Sequence, residues 1–201
     1  DLCVIRSTWN YVHHHQEFLD WARGVSVATM LRNPLEVVLW NTDKSYLAEL
    51  AGRGIPVVPT MFLDRGAPGG LAETAAKKGW NDVVVKPRVG AASFATKRFS
   101  GPRWEEGEAF LRESLRQRDM MAQPYLRSVE ESGERALVWI AGRFTHAIRK
   151  SPRFSGSHEA VSTALPVSSD EDAFGRAVLE PFKQDLLYAR VDVVRMEDGS
   201  L

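Results

Sequence analysis

The chain has 201 residues, of which 44% are hydrophobic, and its 26 Lys and Arg residues balance 26 Asp and Glu residues. A net charge of zero provides no global field for nucleic acid or an anionic membrane, so any anion site must be local. The single cysteine, Cys3, excludes an internal disulfide framework, and no apolar run approaches a membrane span. We therefore expect a cytoplasmic globular protein without a nucleic-acid or membrane partner.

The first third of the chain alternates short strand and helix patterns. The predicted elements are a buried strand at residues 2–5, a helix at 16–23, a helix at 44–53 and a strand at 55–58. This alternation is typical of a parallel α/β arrangement. The adjacent His13, His14 and His15 cannot share one helix face, so we expect a loop or helix entrance here in preference to a metal site.

The stretch DVVVKPRVGAASFAT, at residues 82–96, carries the clearest chemistry. Three valines form a β-branched run that delivers Lys86 at the end of a strand, and a loop of small residues follows. Small side chains let backbone N–H groups approach an anion, and the lysine adds a full positive charge. This suits a nucleotide triphosphate, although the order of residues is not that of a Walker A loop. The alternative is an ordinary strand that ends in a solvated lysine and a flexible loop.

The second half of the chain predicts a mostly antiparallel arrangement. The expected elements are a linker at residues 66–70, helices at 71–78, 105–118 and 170–179, strands at 120–126 and 189–195, a hairpin at 135–150 and a mobile basic loop at 151–157. In the hairpin we expect Arg143, Thr145, Ala147 and Arg149 to share one face. A turn signal at residues 197–200 indicates that a returning strand follows, so we expect the chain to be a fragment.

The strand at 189–195 places Arg190 and Asp192 on the same face, because they are two residues apart. Charges on one face of an otherwise apolar strand are costly to bury without a partner or a ligand. Further positive charges lie at Lys86, Arg88, Lys97, Arg149 and Lys150. A site with both signs of charge suits a phosphate bridged by Mg²⁺, which prefers oxygen ligands.

Several segments, in this order, resemble the ATP-grasp superfamily: NTDK, GIPVVPT, VVKP with its loop, QPYL, GER, HAIRK and YARVDVV. The chain is similar to the glutathione-synthetase and RimK-like branch, including the ATP-grasp enzymes of D-cycloserine biosynthesis, which begin with a segment like RSTWNY at residues 6–11. The resemblance implies an α+β fold in which two lobes hold a nucleotide, after a truncated parallel α/β domain. The implied division is residues 1–65, 66–126 (small lobe) and 127–201 (large lobe).

The resemblance also implies roles for individual residues. Lys44 and Lys86 would grip the ATP phosphates, and the loop with Gly90, Ala91 and Ser93 would close over them. The implied adenine contacts are Gln123, Tyr125 and Leu126. An acid among Glu130, Glu131 and Glu134 would bind the ribose, with Glu134 preferred. Arg149 and Arg190 would contact the transferred phosphate, and Asp192 would be a ligand of Mg²⁺.

The implied function is an ATP- and Mg²⁺-dependent ligase that joins a carboxylate to an amine through an acyl phosphate, in a branch that is often dimeric or tetrameric. The alternatives are a nucleotide-binding domain of the same fold without turnover, and a ligand-binding α/β protein without a nucleotide. Two departures from the family bear on the choice. The remaining metal ligands of the family lie on a strand beyond Leu201, and residues 154–161 do not match its basic substrate loop.

Overall fold

The structure is a computed structural model that describes residues 1–150, 161–182, 186–196 and 198–201, without the side chain of Glu131. The mobile loop predicted at 151–157 therefore lies outside the described residues, as does most of the segment compared with the substrate loop. Among the described residues, no helix is both long and apolar enough to cross a membrane.

The first 60 residues form β1 (Leu2–Val4), α1 (His15–Ala28), β2 (Met30–Arg32), α2 (Leu35–Asn41) and α3 (Tyr46–Gly52). The strands β1 and β2 pair in parallel, which fits the predicted parallel arrangement, but β2 was not among the predicted elements. The prediction that β1 is buried is wrong, since Leu2 is 61% exposed. The predicted strand at residues 55–58 is also absent. Pro56 and Pro59 remove two N–H donors from this segment, so it cannot complete a ladder of hydrogen bonds.

The small-lobe sheet contains β3 (Met61–Leu63), β4 (Asp82–Pro87), β5 (Lys97–Ser100) and β6 (Met120–Pro124), in the order β3-β6-β4-β5 with antiparallel pairing. The helices α4 (Leu71–Lys78) and α5 (Trp104–Leu115) cover one face. The core on that side contains Leu71, Ala75, Val83, Val85, Leu111, Leu115, Met120 and Ala122. Because side chains alternate along a strand, Lys86 and Gln123 project from the other face.

The large-lobe sheet contains β7 (Glu134–Ile140), β8 (Arg143–Lys150) and β9 (Tyr188–Val193), in the order β8-β7-β9 with antiparallel pairing. The short helix α6 (Ser128–Ser132) precedes it, and α7 (Ser169–Leu179) packs on one face. The core under α7 contains Leu137, Trp139, Ala147, Val191 and Val193. The opposite face of this sheet carries the charged residues Glu134, Lys150, Arg190 and Asp192.

A β-bulge changes the predicted alternation in the hairpin. Thr145 is an extra residue in β8, because the pairing passes from His146 directly to Phe144. The prediction that Arg143 and Arg149 share one face is therefore wrong. A bulge inverts which side chains point to a given face, and the pattern of residue types does not reveal it.

The packing of α7 yields a first prediction. A Cβ atom at Gly175 would overlap the indole of Trp139, so Gly175→Ala should lower the free energy of unfolding by about 1–3 kcal/mol in urea denaturation. Gly24→Ala in α1 is the matched control, since no atom lies within 4 Å of its Cβ position. That change should stabilise the protein by about 0.5–1 kcal/mol. Equal effects of the two changes would contradict this packing.

Candidate functional site

Two lysines from separate segments converge at the end of β4. Lys44, just before α3, donates from Nζ to the carbonyl oxygens of Gly90 at 2.6 Å and Arg88 at 3.2 Å. Burial, and then the nearby charge of Lys86, lower the pKa of Lys44 to about 8. Burial also lowers the pKa of Lys86, and the carboxylate of Glu134 opposes that shift. Two ammonium groups held this close favour an anion with several charges.

Arg88 fixes the position of Lys44, and its guanidinium is paired with carboxylates. Its Nε and Nη2 atoms donate to the two carboxylate oxygens of Asp43 at 3.1 and 3.0 Å, and Nη1 donates to Asp64 at 2.9 Å. Its side chain is 17% exposed. A bidentate arginine–carboxylate pair of this kind is geometrically specific. It fastens the start of α3 to the end of β4, and so it keeps Lys44 beside Lys86.

The loop at residues 88–96 has unusual backbone geometry. Ala92, Ser93 and Ala95 have positive φ angles of 50°, 60° and 47°. Side chains other than glycine rarely adopt this region, and such strain is concentrated at ligand-binding loops. Phe94 N donates to Ala91 O at 2.9 Å, and the Phe94 ring contacts His13 edge-on at 4.6 Å. The predicted loop with Gly90, Ala91 and Ser93 is thus held in a defined shape.

The three adjacent histidines point to different partners. His13 contacts the ring of Phe94, His14 lies 3.3 Å from Glu17, and His15 lies 3.0 Å from Thr42 Oγ1. Within the part of the chain that the structure describes, no group of three or more His, Cys, Asp and Glu side chains is placed to hold a metal ion. The histidines therefore help to position the loop and α3.

The polar face of the large lobe gathers four charged side chains. Lys150 Nζ lies 2.7 Å from Glu134 Oε1 and 3.0 Å from Asp192 Oδ2. Arg190 donates from Nε and Nη2 to the two oxygens of Asp192, both at 2.8 Å. Asp192 is thus held between two cations. Because the charge of Glu134 acts on Lys86, this face lies near the lysine pair of the small lobe.

Arg149 is not brought to this face. The register pairs Arg149 with Arg135, whereas Glu134 pairs with Lys150 one residue along each strand. Neighbouring residues in a strand point to opposite faces, so Arg149 lies on the α7 side. Lys150, the next residue, lies on the face with Glu134 and Asp192. The alternation of a strand predicts that Arg149 and Lys150 point to opposite faces, but not which of them lies beside Asp192.

The residues predicted to contact adenine already have protein partners. Gln123 is 8% exposed and donates from Nε2 to Thr60 Oγ1 at 2.8 Å. The Tyr125 ring lies 3.6 Å below the Arg98 guanidinium, and its hydroxyl donates to Glu130 at 2.7 Å. Burial and this hydrogen bond raise the pKa of Tyr125 to about 12.

The segment that joins the two lobes follows directly. Leu126 is half-buried, and its carbonyl oxygen accepts a hydrogen bond from Val129 N at 3.2 Å. Glu131 lies in α6, and its side chain is outside the described part of the structure.

Asn33 docks the first 60 residues onto the large lobe. Its Oδ1 atom accepts hydrogen bonds from Leu187 N at 2.8 Å and Tyr188 N at 3.3 Å, and its Nδ2 donates to Tyr188 O at 2.9 Å. The Tyr188 hydroxyl donates in turn to Ile5 O at 2.5 Å. Because β9 begins at Tyr188, these contacts set the position of Arg190 and Asp192 relative to α3.

Similar proteins identify the family. Residues 1–33 match the family described as D-cycloserine synthetase DcsG, N-terminal domain. The cycloserine biosynthesis protein DcsG of Streptomyces lavendulae is 32% identical over 213 residues, which cover 98% of this chain and 71% of that protein. The crystal structure of D-cycloserine synthetase DcsG has 31% identity and a TM-score of 0.90, over 99% of this chain and 72% of the other.

Two more distant solved structures show which fold this is. The ATP-grasp ligase PsnB, in complex with a precursor peptide and AMPPNP, has 18% identity and a TM-score of 0.63 over 99% of this chain and 65% of that one. The chain belongs to the same family as DcsG, and it has the ATP-grasp fold. The D-alanine–D-alanine ligase of Bacillus anthracis complexed with ATP shares the ATP-grasp fold, with 18% identity and a TM-score of 0.67 over 98% of this chain and 64% of that one. The predicted α+β ATP-grasp fold and the assignment as a ligase are confirmed.

Proposed function

We propose that this ATP-grasp ligase activates a small carboxylate as an acyl phosphate and joins it to an amine or a similar nucleophile, with Mg²⁺ present. One observation carries the proposal: the charge of Glu134 acts on Lys86, so the pair Lys44 and Lys86 lies near the charged face that holds Glu134, Lys150, Arg190 and Asp192. We propose that the space between them, called the cleft below, binds the phosphates of ATP together with a divalent cation.

The proposed ATP contacts come from both lobes. Lys44 and Lys86 neutralise the phosphates, and the loop with Gly90, Ala91 and Ser93 covers them. Adenine binds along Gln123, Tyr125 and Leu126, whose backbone groups border the cleft. The ribose hydroxyl groups are bound by Glu134 or Glu131. The division into residues 1–65, 66–126 and 127–201 remains a prediction. β3 lies before its first boundary, but it pairs with β6 of the small-lobe sheet.

The carboxylate oxygens of Asp192 are suitable ligands for Mg²⁺. Its carboxylate and that of Glu134 both lie within 3.0 Å of one cationic nitrogen, Lys150 Nζ, so both can approach a single cation. Mg²⁺ in nucleotide sites is commonly bound by one or two carboxylates together with phosphate oxygens and water. We propose Asp192 as its ligand, with Glu134 near it. The bound ion would neutralise charge on the phosphates.

The proposed reaction has two steps. A substrate carboxylate oxygen attacks the γ-phosphorus, the bond from that phosphorus to the bridging oxygen breaks, and ADP leaves. The amine then attacks the acyl carbon, loses a proton, and inorganic phosphate leaves. Arg190 and Lys150 supply positive charge where the transferred group lies, and positioning provides most of the rate. Arg149, on the far face, has no part in this proposal.

The substrate proposed is a small amino-acid-like carboxylate. DcsG is named as a synthetase of D-cycloserine, and cycloserine is a small cyclic derivative of an amino acid. A cleft with charges of both signs can bind the ammonium and carboxylate groups of such a molecule. A homo-oligomer remains a prediction from the resemblance.

An isotope experiment tests the proposal. The protein is incubated with Mg-ATP, hydroxylamine as a general nucleophile, and a panel of amino acids labelled with ¹⁸O in the carboxylate. We expect one or more of these acids to stimulate ADP release and to transfer ¹⁸O into inorganic phosphate, observed by ³¹P NMR. Release of ADP with unlabelled phosphate would contradict an acyl phosphate.

The alternative is a nucleotide-binding role without turnover. This alternative predicts tight binding of Mg-ATP in calorimetry with no ADP release for any acid in the panel. The ligase proposal predicts both binding and release.

The pKa of Lys44 provides a pH prediction. Since this pKa is lowered to about 8, Lys44 is charged below pH 8 and becomes neutral as the pH rises through that value. Only the charged form attracts phosphate, so kcat/KM for ATP should fall above pH 8. In Lys44→Arg the guanidinium stays charged, and the fall should move to higher pH. An unchanged inflection in this variant would assign the titration to another group.

A further inference from the structure

Both oxygen atoms of the Asp192 carboxylate are already bound by cations of the large lobe. Oδ1 accepts a hydrogen bond from Arg190 Nε at 2.8 Å, and Oδ2 accepts one from Arg190 Nη2 at 2.8 Å and one from Lys150 Nζ at 3.0 Å. The same Nζ donates to Glu134 Oε1 at 2.7 Å. A divalent cation that binds these carboxylates therefore meets Lys150 as a competitor for the same oxygen atoms.

Lys150 is the most enclosed member of these contacts. Its side chain is 12% exposed, against 39% for Glu134 and 31% for Asp192. Lys150 lies opposite Glu134 in the ladder of β7 and β8, and it reaches across β7 to Asp192 on β9. The ammonium group is thus held by the register of three strands and by two carboxylates, unlike a solvated surface lysine.

These four groups balance each other without a metal. The two carboxylates, of Glu134 and Asp192, pair with the two cations, Lys150 and Arg190, so the four formal charges sum to zero. A divalent cation that enters alone brings two positive charges to a balanced group and has to displace an ammonium group. ATP changes this balance, because its phosphates offer the displaced ammonium group a new anionic partner and supply the metal with further oxygen ligands.

We propose that Lys150 occupies the two carboxylates in place of the metal while the nucleotide is absent, so that the divalent cation binds together with ATP and not before it. This inference rests on the proposed function, in which Asp192 is a metal ligand and Lys150 contacts the transferred group. It gives Lys150 a second role as an exchangeable counter-ion, which leaves Glu134 and Asp192 as the metal arrives and moves to phosphate. The metal and the nucleotide thereby favour each other's binding.

The test measures binding of Mn²⁺, a paramagnetic substitute for Mg²⁺ that also prefers oxygen ligands, by EPR without nucleotide or substrate. We expect Lys150→Met to bind Mn²⁺ about tenfold more tightly than the wild type, or better, because its two carboxylates lack the ammonium group. The Tm of this variant should be lower without metal, and Mn²⁺ should raise it more than it raises the Tm of the wild type. An unchanged Mn²⁺ affinity in Lys150→Met would overturn the inference.

Three further variants separate the local contact from a general effect of charge. Lys97→Met removes the same charge from the small lobe, where Nζ packs over the Phe110 ring at 4.6 Å, and should bind Mn²⁺ as the wild type does. Lys150→Arg keeps the positive charge and should gain no affinity. Lys150→Gln removes the charge but keeps a hydrogen-bond donor, so it should show the gain even if Lys150→Met does not fold. An equal gain in Lys97→Met would also overturn the inference.

The same titration with AMPPNP present keeps a failure of this inference apart from a failure of the proposed function. In this complex the wild type should bind Mn²⁺ tightly, and Asp192→Asn should bind it more weakly. If that loss appears but Lys150→Met and Lys150→Gln gain nothing without nucleotide, only the counter-ion role of Lys150 is overturned. If Asp192→Asn binds Mn²⁺ as the wild type does, Asp192 is not a metal ligand, and the proposed metal site and this inference are overturned together.

Discussion

Replacing Lys86 with methionine should weaken ATP binding by about one to two orders of magnitude. Methionine keeps the length and apolar stem of the side chain and removes its charge. The lost contact is a charge-assisted hydrogen bond to phosphate in a buried site, worth about 1.5–3 kcal/mol. In this variant the pKa of Lys44 should also rise, because the positive charge of Lys86, which lowers that pKa, is gone. Isothermal titration calorimetry with Mg-AMPPNP measures the change in Kd.

Lys97→Met is the matched control for this prediction. Lys97 lies in β5 of the same lobe, but its Nζ packs over the Phe110 ring at 4.6 Å, on the α5 side of the sheet. The two variants therefore lose the same charge from opposite faces of one sheet. We expect Lys97→Met to bind the analogue as the wild type does. Equal loss of affinity in both variants would indicate a general effect of charge and would remove Lys86 from the site.

Replacing Asp192 with asparagine should lower kcat by about 10²–10³-fold. The amide preserves the shape of the side chain but removes the negative charge that Arg190 and Lys150 both contact. It also removes the proposed Mg²⁺ ligand, and loss of one well-placed electrostatic contact costs about this much in other enzymes. Turnover of the variant, measured as ADP release, should require a higher Mg²⁺ concentration.

Asp172→Asn makes the same chemical change at a site away from the cleft. Asp172 lies on α7 and pairs with Arg176 at 2.8 Å on the opposite side of the sheet. A surface pair of this kind contributes little to stability. We expect normal kcat and normal Mg²⁺ dependence in this control. Should Asp192→Asn behave in the same way, Asp192 is not a metal ligand and the large-lobe side of the site has to be reassigned.

The sequence was sufficient for those parts of the site that depend on local patterns. A β-branched run predicted β4 and placed Lys86 near its end, and the period of two predicted that Arg190 and Asp192 share a face. The pairing of β4 with β6 confirms the first prediction, and the bidentate contact between Arg190 and Asp192 confirms the second. Such features need only the geometry of one strand.

Other parts of the site depend on contacts between distant segments, which periodicity does not encode. Lys44 reaches its place through the pairing of Arg88 with Asp43, 45 residues apart in the chain. Lys150, and not Arg149, faces the cleft because of the register between β7 and β8.

We propose that Mg-ATP binds between the two sheets, with Lys44 and Lys86 on one side and Asp192 on the other. A crystal structure of the protein with Mg²⁺ and AMPPNP would locate the nucleotide. We expect Lys44 and Lys86 to contact the phosphate oxygens and Mg²⁺ to lie within about 2.1 Å of an Asp192 oxygen. A nucleotide bound outside this cleft, or phosphates without contact to either lysine, would contradict it.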